Sequence, residues 1–346
     1  MKKSLIALAV LAASGAAMAQ SSVTLYGVAD VWFGSAKTEG IYNTTGFADR
    51  QTVLVDGGVS NSRIGFKGAE DLGGGLKAGF VLEQGIDLTS GAASGFSREA
   101  SIGLSGGFGE IKAGKVWNAF DDVSAGAAST FDSDLAPINT VFVSTLAATN
   151  PNSGIRYSTP EFGGFSGAVS FTLPGDKTAT TSASEFTALS AKYAGGPVYV
   201  GFGYAQADGA YLADFNEIAT DLGAPIATKG KATRLNGSYD LGVAKLLASY
   251  GNLKLDGTDL KANEYEFGVD VPLSSALTLS GGYAQSKIKV GGVTGAKTTG
   301  FGLAAAYSLS KRTTAYAGMN NTKTDDGAGV EVGKATVYAV GLKHTF

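Results

Sequence analysis

Beyond residue 19 the chain has no run of about 18 apolar residues, the least a membrane-spanning helix needs, yet apolar side chains recur at every second position in segment after segment. In residues 264–271, Tyr265, Phe267, Val269 and Val271 share one face and Glu264, Glu266, Gly268 and Asp270 the other. Val198, Val200, Phe202 and Tyr204 repeat the pattern, and Thr233, Leu235 and Tyr239 oppose Arg234, Asn236, Ser238 and Asp240. The last such segment ends on an aromatic: Tyr338, Val340, Leu342, His344 and Phe346 lie on one face of a strand that runs to the C-terminus. A period of two is that of a strand with one apolar face. If this chain crosses a membrane, it crosses with strands.

The connections between these segments alternate between two lengths. Short turns rich in Gly, Pro, Asp or Ser fall at residues 71–75, 106–108, 161–164, 195–196, 241–243, 272–275 and 308–312, as tight hairpins demand. Longer connections are expected at 34–59, 88–95, 117–152, 174–185, 208–230, 254–261, 288–297 and 324–333. Together they join sixteen strands. An even strand number, segments of about ten residues, and short turns at one end with long loops at the other define an outer-membrane barrel. The fold expected is therefore all-β, a 16-stranded antiparallel transmembrane β-barrel. A soluble β-sandwich would share the period of two, but three features weigh against it: an export leader, the aromatic end, and a polar second face on nearly every strand.

The leader is legible. Met1, Lys2 and Lys3 are followed by an apolar stretch over residues 5–13 and by Ala17-Met18-Ala19, an A-x-A cleavage pattern, so residues 1–19 read as a removed signal peptide and residues 20–346 as one barrel domain. The chain contains 51 Gly, 7 Pro and no Cys, which suits long twisted sheets and leaves no disulfide framework or thiolate metal site. Without Lys2 and Lys3, 25 basic residues stand against 30 acidic ones, a formal charge of −5. That balance argues against a nucleic-acid partner.

Several stretches are similar to those of the general porins of Gram-negative outer membranes, the beta-proteobacterial type in particular. These are residues 22–30 (SVTLYGVAD), 61–77 (NSRIGFKGAEDLGGGLK), 156–165 (RYSTPEFGGF), 307–312 (YSLSKR) and 340–346 (VGLKHTF). The resemblance implies a homotrimer in the outer membrane that passes ions and small hydrophilic solutes. Its third extracellular loop would fold into the lumen as a constriction. It also implies that outer-membrane assembly machinery reads the terminal Phe346, and that the barrel sits among outer-membrane lipid and lipopolysaccharide.

The residues themselves favour the same loop. Residues 117–152 form the longest connection, and a connection of that length inside a compact fold is usually functional. It carries Asp121, Asp122, Asp132 and Asp134 and no Lys or Arg. Arg63 alternates against Ile64 and Phe66, and Arg156 against Ile155 and Tyr157, so both point inward. In the resembled family a basic ladder on the wall faces loop carboxylates, which assigns the basic wall to Arg63, Arg156 and Lys115. At position 115 the family more often has arginine, and the register of Lys115 with Ile111 and Ala113 points it outward unless the strand ends near Gly114. The loop acids lean the expected ion preference toward cations. On the outer wall, Gly27 and Ala29 leave a flat patch suited to a trimer contact.

Other chemistries find little support. Gly73-Gly74-Gly75 and Gly281-Gly282 are not followed by a helical period, so they read as turn and strand glycines and not as phosphate cradles. His344, the one histidine, falls on the outer face, where it cannot serve as the base of an internal catalytic triad. Asp325 and Asp326 could take Ca²⁺ but read better as solvated loop acids, so no metal, cofactor or enzymatic activity is expected. A substrate-specific channel and a barrel acting mainly as adhesin or receptor remain as alternatives within the same architecture.

Overall fold

The computed structural model describes residues 22–42, 49–123, 133–173, 175, 178 and 184–346. Neither the leader nor Asp132 lies among them. The strands are β1 (Ser22–Gly40), β2 (Gln51–Asp56), β3 (Arg63–Gly73), β4 (Leu76–Gly85), β5 (Glu99–Gly106), β6 (Gly109–Lys115), β7 (Gly154–Ser158), β8 (Phe165–Thr172) and β9 (Phe186–Gly195). They continue as β10 (Val198–Ala207), β11 (Lys229–Asp240), β12 (Lys245–Asp256), β13 (Leu260–Pro272), β14 (Leu277–Val290), β15 (Val293–Ser308), β16 (Thr313–Asp326) and β17 (Glu331–Thr345).

Every pairing is antiparallel between neighbours, and β17 returns to β1 over the register Val28 opposite Thr345 to Gly40 opposite Gly333. β2 and β3 both pair with β1, one along its upper half and one along its lower half. They are two parts of one stave, broken at residues 57–62, so the seventeen segments close a sixteen-stranded barrel. Closure leaves no edge, which a sheet in hydrocarbon requires. The break is held from inside. Asp30 accepts hydrogen bonds from the Val59 N–H (3.1 Å) and the Tyr316 hydroxyl, and the Ser62 hydroxyl accepts the Asp30 N–H at 2.9 Å.

The alternation resolves as the sequence requires. Tyr338, Val340, Leu342 and Phe346 are exposed on the outer wall, as are Tyr265 and Phe267, whereas Glu264, Glu266 and Asp270 are buried on the inner one. Seven short turns lie at one end. At the other end the sheet reaches further than the sequence reading: residues 254–261, 288–297 and 324–333 are mostly strand, with β14 and β15 joined by Gly291-Gly292 alone. Apolar alternation fades there because the outer face leaves hydrocarbon and turns polar, while the backbone ladder continues.

Among the described residues, two short α-helices stand outside the sheet. α1 (Pro137–Val141) lies within the long connection after β6, and α2 (Ala213–Asp221) in the connection after β10, where Phe215 and Ala219 are buried against the mouth of the barrel.

Candidate functional site: a charged aperture beside an internal loop

Residues 116–123 and 133–153 run along the inner wall. Asn118, Ala119, Phe120 and Val123 are buried against the inward faces of β8 to β11, and α1 lies against β14, β15 and β16. Inward glycines make room for this approach: a Cβ on Gly203 would strike Val123, and one on Gly302 would stand 2.8 Å from the Leu135 carbonyl.

Polar anchors fix the segment at three places. Glu264 on β13 accepts hydrogen bonds from the Val143 N–H (2.6 Å), the Ser144 N–H and the Ser144 hydroxyl, while Arg234 on β11 donates to the Ser144 hydroxyl at 2.7 Å. The Arg234 guanidinium also lies over the Phe142 ring, 4.7 Å from its centroid. Asn236 donates to the Val123 carbonyl at 2.8 Å. Near the break in the second stave, Trp32 Nε1 donates to the Asp134 carboxylate at 3.2 Å and Asn320 to the Asp134 carbonyl at 2.9 Å. Burial pushes the Asp134 carboxyl up to about 6; the Trp32 indole opposes the rise and the neighbouring Asp30 and Asp56 add to it.

The loop lies against the wall from β8 to β16, and a row of charged side chains stands on and beside β3 to β7. One terminal guanidinium nitrogen of Arg156 donates to both carboxylate oxygens of Asp122, at 2.7 and 2.8 Å, a charge-assisted contact that is stronger than a neutral hydrogen bond. Its other guanidinium nitrogen holds the Trp117 and Asn118 carbonyls at 3.1 Å each. Asp122 is shared: Lys192 on β9 stands 3.6 Å away and the Ser190 hydroxyl donates at 2.9 Å. Further round, Glu83 is likewise shared, by Arg98 at 2.7 Å and Arg63 at 3.7 Å, and it accepts the Tyr26 hydroxyl at 3.0 Å. Arg98 lies over the Trp117 ring, 5.4 Å from its centroid, which ties this group to the loop. Lys112 reaches Glu99 at 3.2 Å.

The structure thus brings Arg156 together with Asp122 and places Arg63 on the inward wall beside Glu83. Asp121 sits in the same 3-10 turn as Asp122, and Asp134 is engaged at Trp32, away from the basic wall. Lys115 differs from its assigned role. Opposite Ala100 in the outward register, it turns to the loop base, donating to the Asn150 carbonyl at 2.7 Å and the Asn152 side chain at 3.1 Å. The inward lysine of β6 is Lys112, opposite Arg156. Lys112, Arg98 and Lys192 were missed by sequence reasoning. Lys112 and Lys192 carry the same alternation that exposed Arg156, between Ile111 and Ala113 and between Ala191 and Tyr193.

A closed barrel with an inward loop and opposed charges on its wall is matched by known proteins. Residues 5–327 match the family of Gram-negative porins. The chain belongs to that family. Among its relatives, outer membrane porin protein 32 of Delftia acidovorans is 34% identical over the full length of both chains, and major outer membrane protein P.IB of Neisseria lactamica is 32% identical over the full length of both. Among solved structures, an anion-selective porin from Comamonas acidovorans superimposes with a TM-score of 0.71 at 26% identity, covering 94% of this chain and all of that one. OmpT, an outer membrane protein of Vibrio cholerae, shares the fold at a TM-score of 0.70 and 17% identity, covering 94% of this chain and 98% of that one. This porin is an outer-membrane channel, and its lumen is the path for ions and small hydrophilic solutes.

Proposed function

We propose that this porin is a general diffusion channel with a preference for anions, in which Arg156, Lys192, Arg63, Arg98 and Lys112 form the basic wall of the aperture and Asp122 the loop carboxylate that faces it. The observation that carries this reading is the sharing of carboxylates: Asp122 lies between two cations and Glu83 between two more. Each of these two carboxylates neutralises one charge and leaves one over, whereas Lys112 is itself matched by Glu99 and Glu110. This reverses the lean toward cations that the loop acids gave, because Asp122 is consumed by the wall and Asp134 is turned away from it. The similarity to the anion-selective porin of Comamonas acidovorans supports the same sign. Opposed charges across a gap near the Debye length of about 8 Å are only partly screened at physiological salt, so the aperture holds a transverse field that favours ions and dipolar solutes.

The same reading makes the protein a homotrimer without enzymatic activity, exported with removal of residues 1–19, assembled through recognition of Phe346, and seated among outer-membrane lipid and lipopolysaccharide. His344, bonded to Thr313 at 2.9 Å on the outer wall, serves no lumenal chemistry in it. The test is a pair of charge variants in planar bilayers. Asp122→Asn should raise the anion-to-cation permeability ratio and Arg156→Gln with Lys192→Gln should lower it; a ratio unmoved by both would remove these residues from the aperture.

A further inference from the structure

Glu83 and Asp122 are held in the same way. Arg98 Nε donates to Glu83 Oε1 at 2.7 Å, and Arg156 donates to Asp122 at 2.7 and 2.8 Å. On each carboxylate a neutral hydroxyl takes the second oxygen: Tyr26 donates to Glu83 Oε2 at 3.0 Å, and Ser190 to Asp122 Oδ2 at 2.9 Å. A second cation is directed at that same oxygen and stops short of it, Arg63 Nε at 3.7 Å from Glu83 Oε2 and Lys192 Nζ at 3.6 Å from Asp122 Oδ2. Both separations exceed the distance of about 2.7–2.9 Å at which a charge-assisted hydrogen bond forms.

The strands put both hydroxyls in place. Tyr26 on β1 is opposite Gly65 on β3, and Gly65 is opposite Glu83 on β4. Because Gly65 has no side chain, the Tyr26 ring lies across it and reaches the strand beyond; a Cβ at position 65 would stand 2.5 Å from the ring Cζ and 2.7 Å from the hydroxyl. The neighbouring inward residues of β3 are Arg63 and Lys67, and the Lys67 ammonium stands over the Tyr26 ring, 4.9 Å from its centroid. Ser190 and Lys192 are successive inward residues of β9, so there the hydroxyl and the cation it displaces come from one strand. The displaced cations keep more of their side chains exposed, 27% for Arg63 and 31% for Lys192, than Arg98 at 22% and Arg156 at 16%.

We propose that Tyr26 and Ser190 are positioning residues that set the ion preference of the aperture, each satisfying one carboxylate oxygen without neutralising it and so holding Arg63 and Lys192 off. The inference rests on the anion reading of the aperture and adds to it two side chains that carry no charge. An ionised carboxylate only accepts hydrogen bonds, and an oxygen left open beside a guanidinium or ammonium group draws that cation in. A cation in contact with its carboxylate shows less of its charge to a passing ion than one kept at a distance by a hydroxyl. The formal charge of the lumen is the same in both arrangements, but the field that ions meet is not.

The test is the anion-to-cation permeability ratio of the refolded full-length protein, taken from reversal potentials in planar bilayers under a potassium chloride gradient. Tyr26→Phe and Ser190→Ala, which change no formal charge, should each lower the ratio about two- to fivefold, the span of a partly exposed ion pair. Each effect should depend on its own carboxylate. Tyr26→Phe should change nothing in a Glu83→Gln background and keep its effect in Asp122→Asn, and Ser190→Ala should do the reverse. A ratio that either substitution leaves unmoved or raises would overturn the proposal. So would a shift that persists once the substitution's own carboxylate is gone, which would assign it to the shape of the pore. Should Tyr26→Phe not yield a heat-modifiable barrel, Gly65→Ala, whose Cβ displaces the hydroxyl from Glu83, is read by the same criteria. A wild type that prefers cations would overturn the anion reading whatever the variants do; an anion-preferring wild type without the shifts would overturn this inference alone.

Discussion

Asp134 shows how a single side chain couples the internal loop to the wall. Its carboxyl is held up at about 6 by burial, against the Trp32 indole and in the company of Asp30 and Asp56. A carboxyl whose folded value lies above its ordinary 3.8 binds its proton more tightly when folded. Its stabilising contribution is then greatest below about pH 4 and declines as pH rises toward 6, by at most about 3 kcal/mol for a shift of this size. Thermal unfolding of the wild type should therefore lose ground to Asp134→Asn between pH 4 and pH 7. Parallel pH profiles for the two proteins would contradict this account. The site was legible in the sequence where strand alternation applies, as at Arg63 and Arg156, and illegible where it does not. Four loop aspartates carried no period to rank them, and only the folded loop shows that Asp122 meets the wall and Asp134 meets Trp32. Lys115 misled for a related reason. A lysine at the last position of β6 can leave its register, and it does so to hold the Asn150 carbonyl.

At the scale of elements, the internal loop is kept in place by side chains of distant strands. Glu264 takes donors from Val143, Ser144 and Ser286, and removing it would leave the fully buried Arg234, which reaches it through the Ser144 hydroxyl, with Glu266 as its remaining carboxylate. Loss of one partner from a buried charged pair costs about 3–5 kcal/mol. Glu264→Ala should thus release residues 143–147 from the wall, seen as larger and noisier single-channel conductance with barrel content unchanged by circular dichroism. An unaltered conductance would mean that the loop is held elsewhere. The strands themselves were legible as to number and facing because hydrocarbon imposes the period of two. Their upper ends were not, since Lys287, Lys289 and Lys297 sit on an outer face that no longer meets hydrocarbon, and a lysine-rich ladder reads as loop.

For the whole molecule, closure depends on the seam between the two ends of the chain. Gly27 and Phe346 exchange backbone hydrogen bonds of 3.0 and 3.1 Å, and the Phe346 ring covers the face of Gly27. The flat outer patch that the sequence offered for a trimer contact is thus in part the seat of the terminal aromatic. A Cβ at position 27 would collide with that ring and stand 2.6 Å from the Arg63 carbonyl, so Gly27→Ala should destabilise closure by about 1–3 kcal/mol, the usual cost of overpacking. The expected result is a lower temperature for loss of the compact, heat-modifiable band in gels; no change would show that the seam tolerates an added methyl. The central claim concerns what the closed barrel passes. Its most direct test is the reversal potential of the refolded protein in a planar bilayer under a potassium chloride gradient, recorded with the single-channel steps. Large ohmic steps and a potential of the sign set by chloride are predicted from the cations left over around Asp122 and Glu83. A potential of the sign set by potassium, or folded protein that gives no steps, would contradict the account.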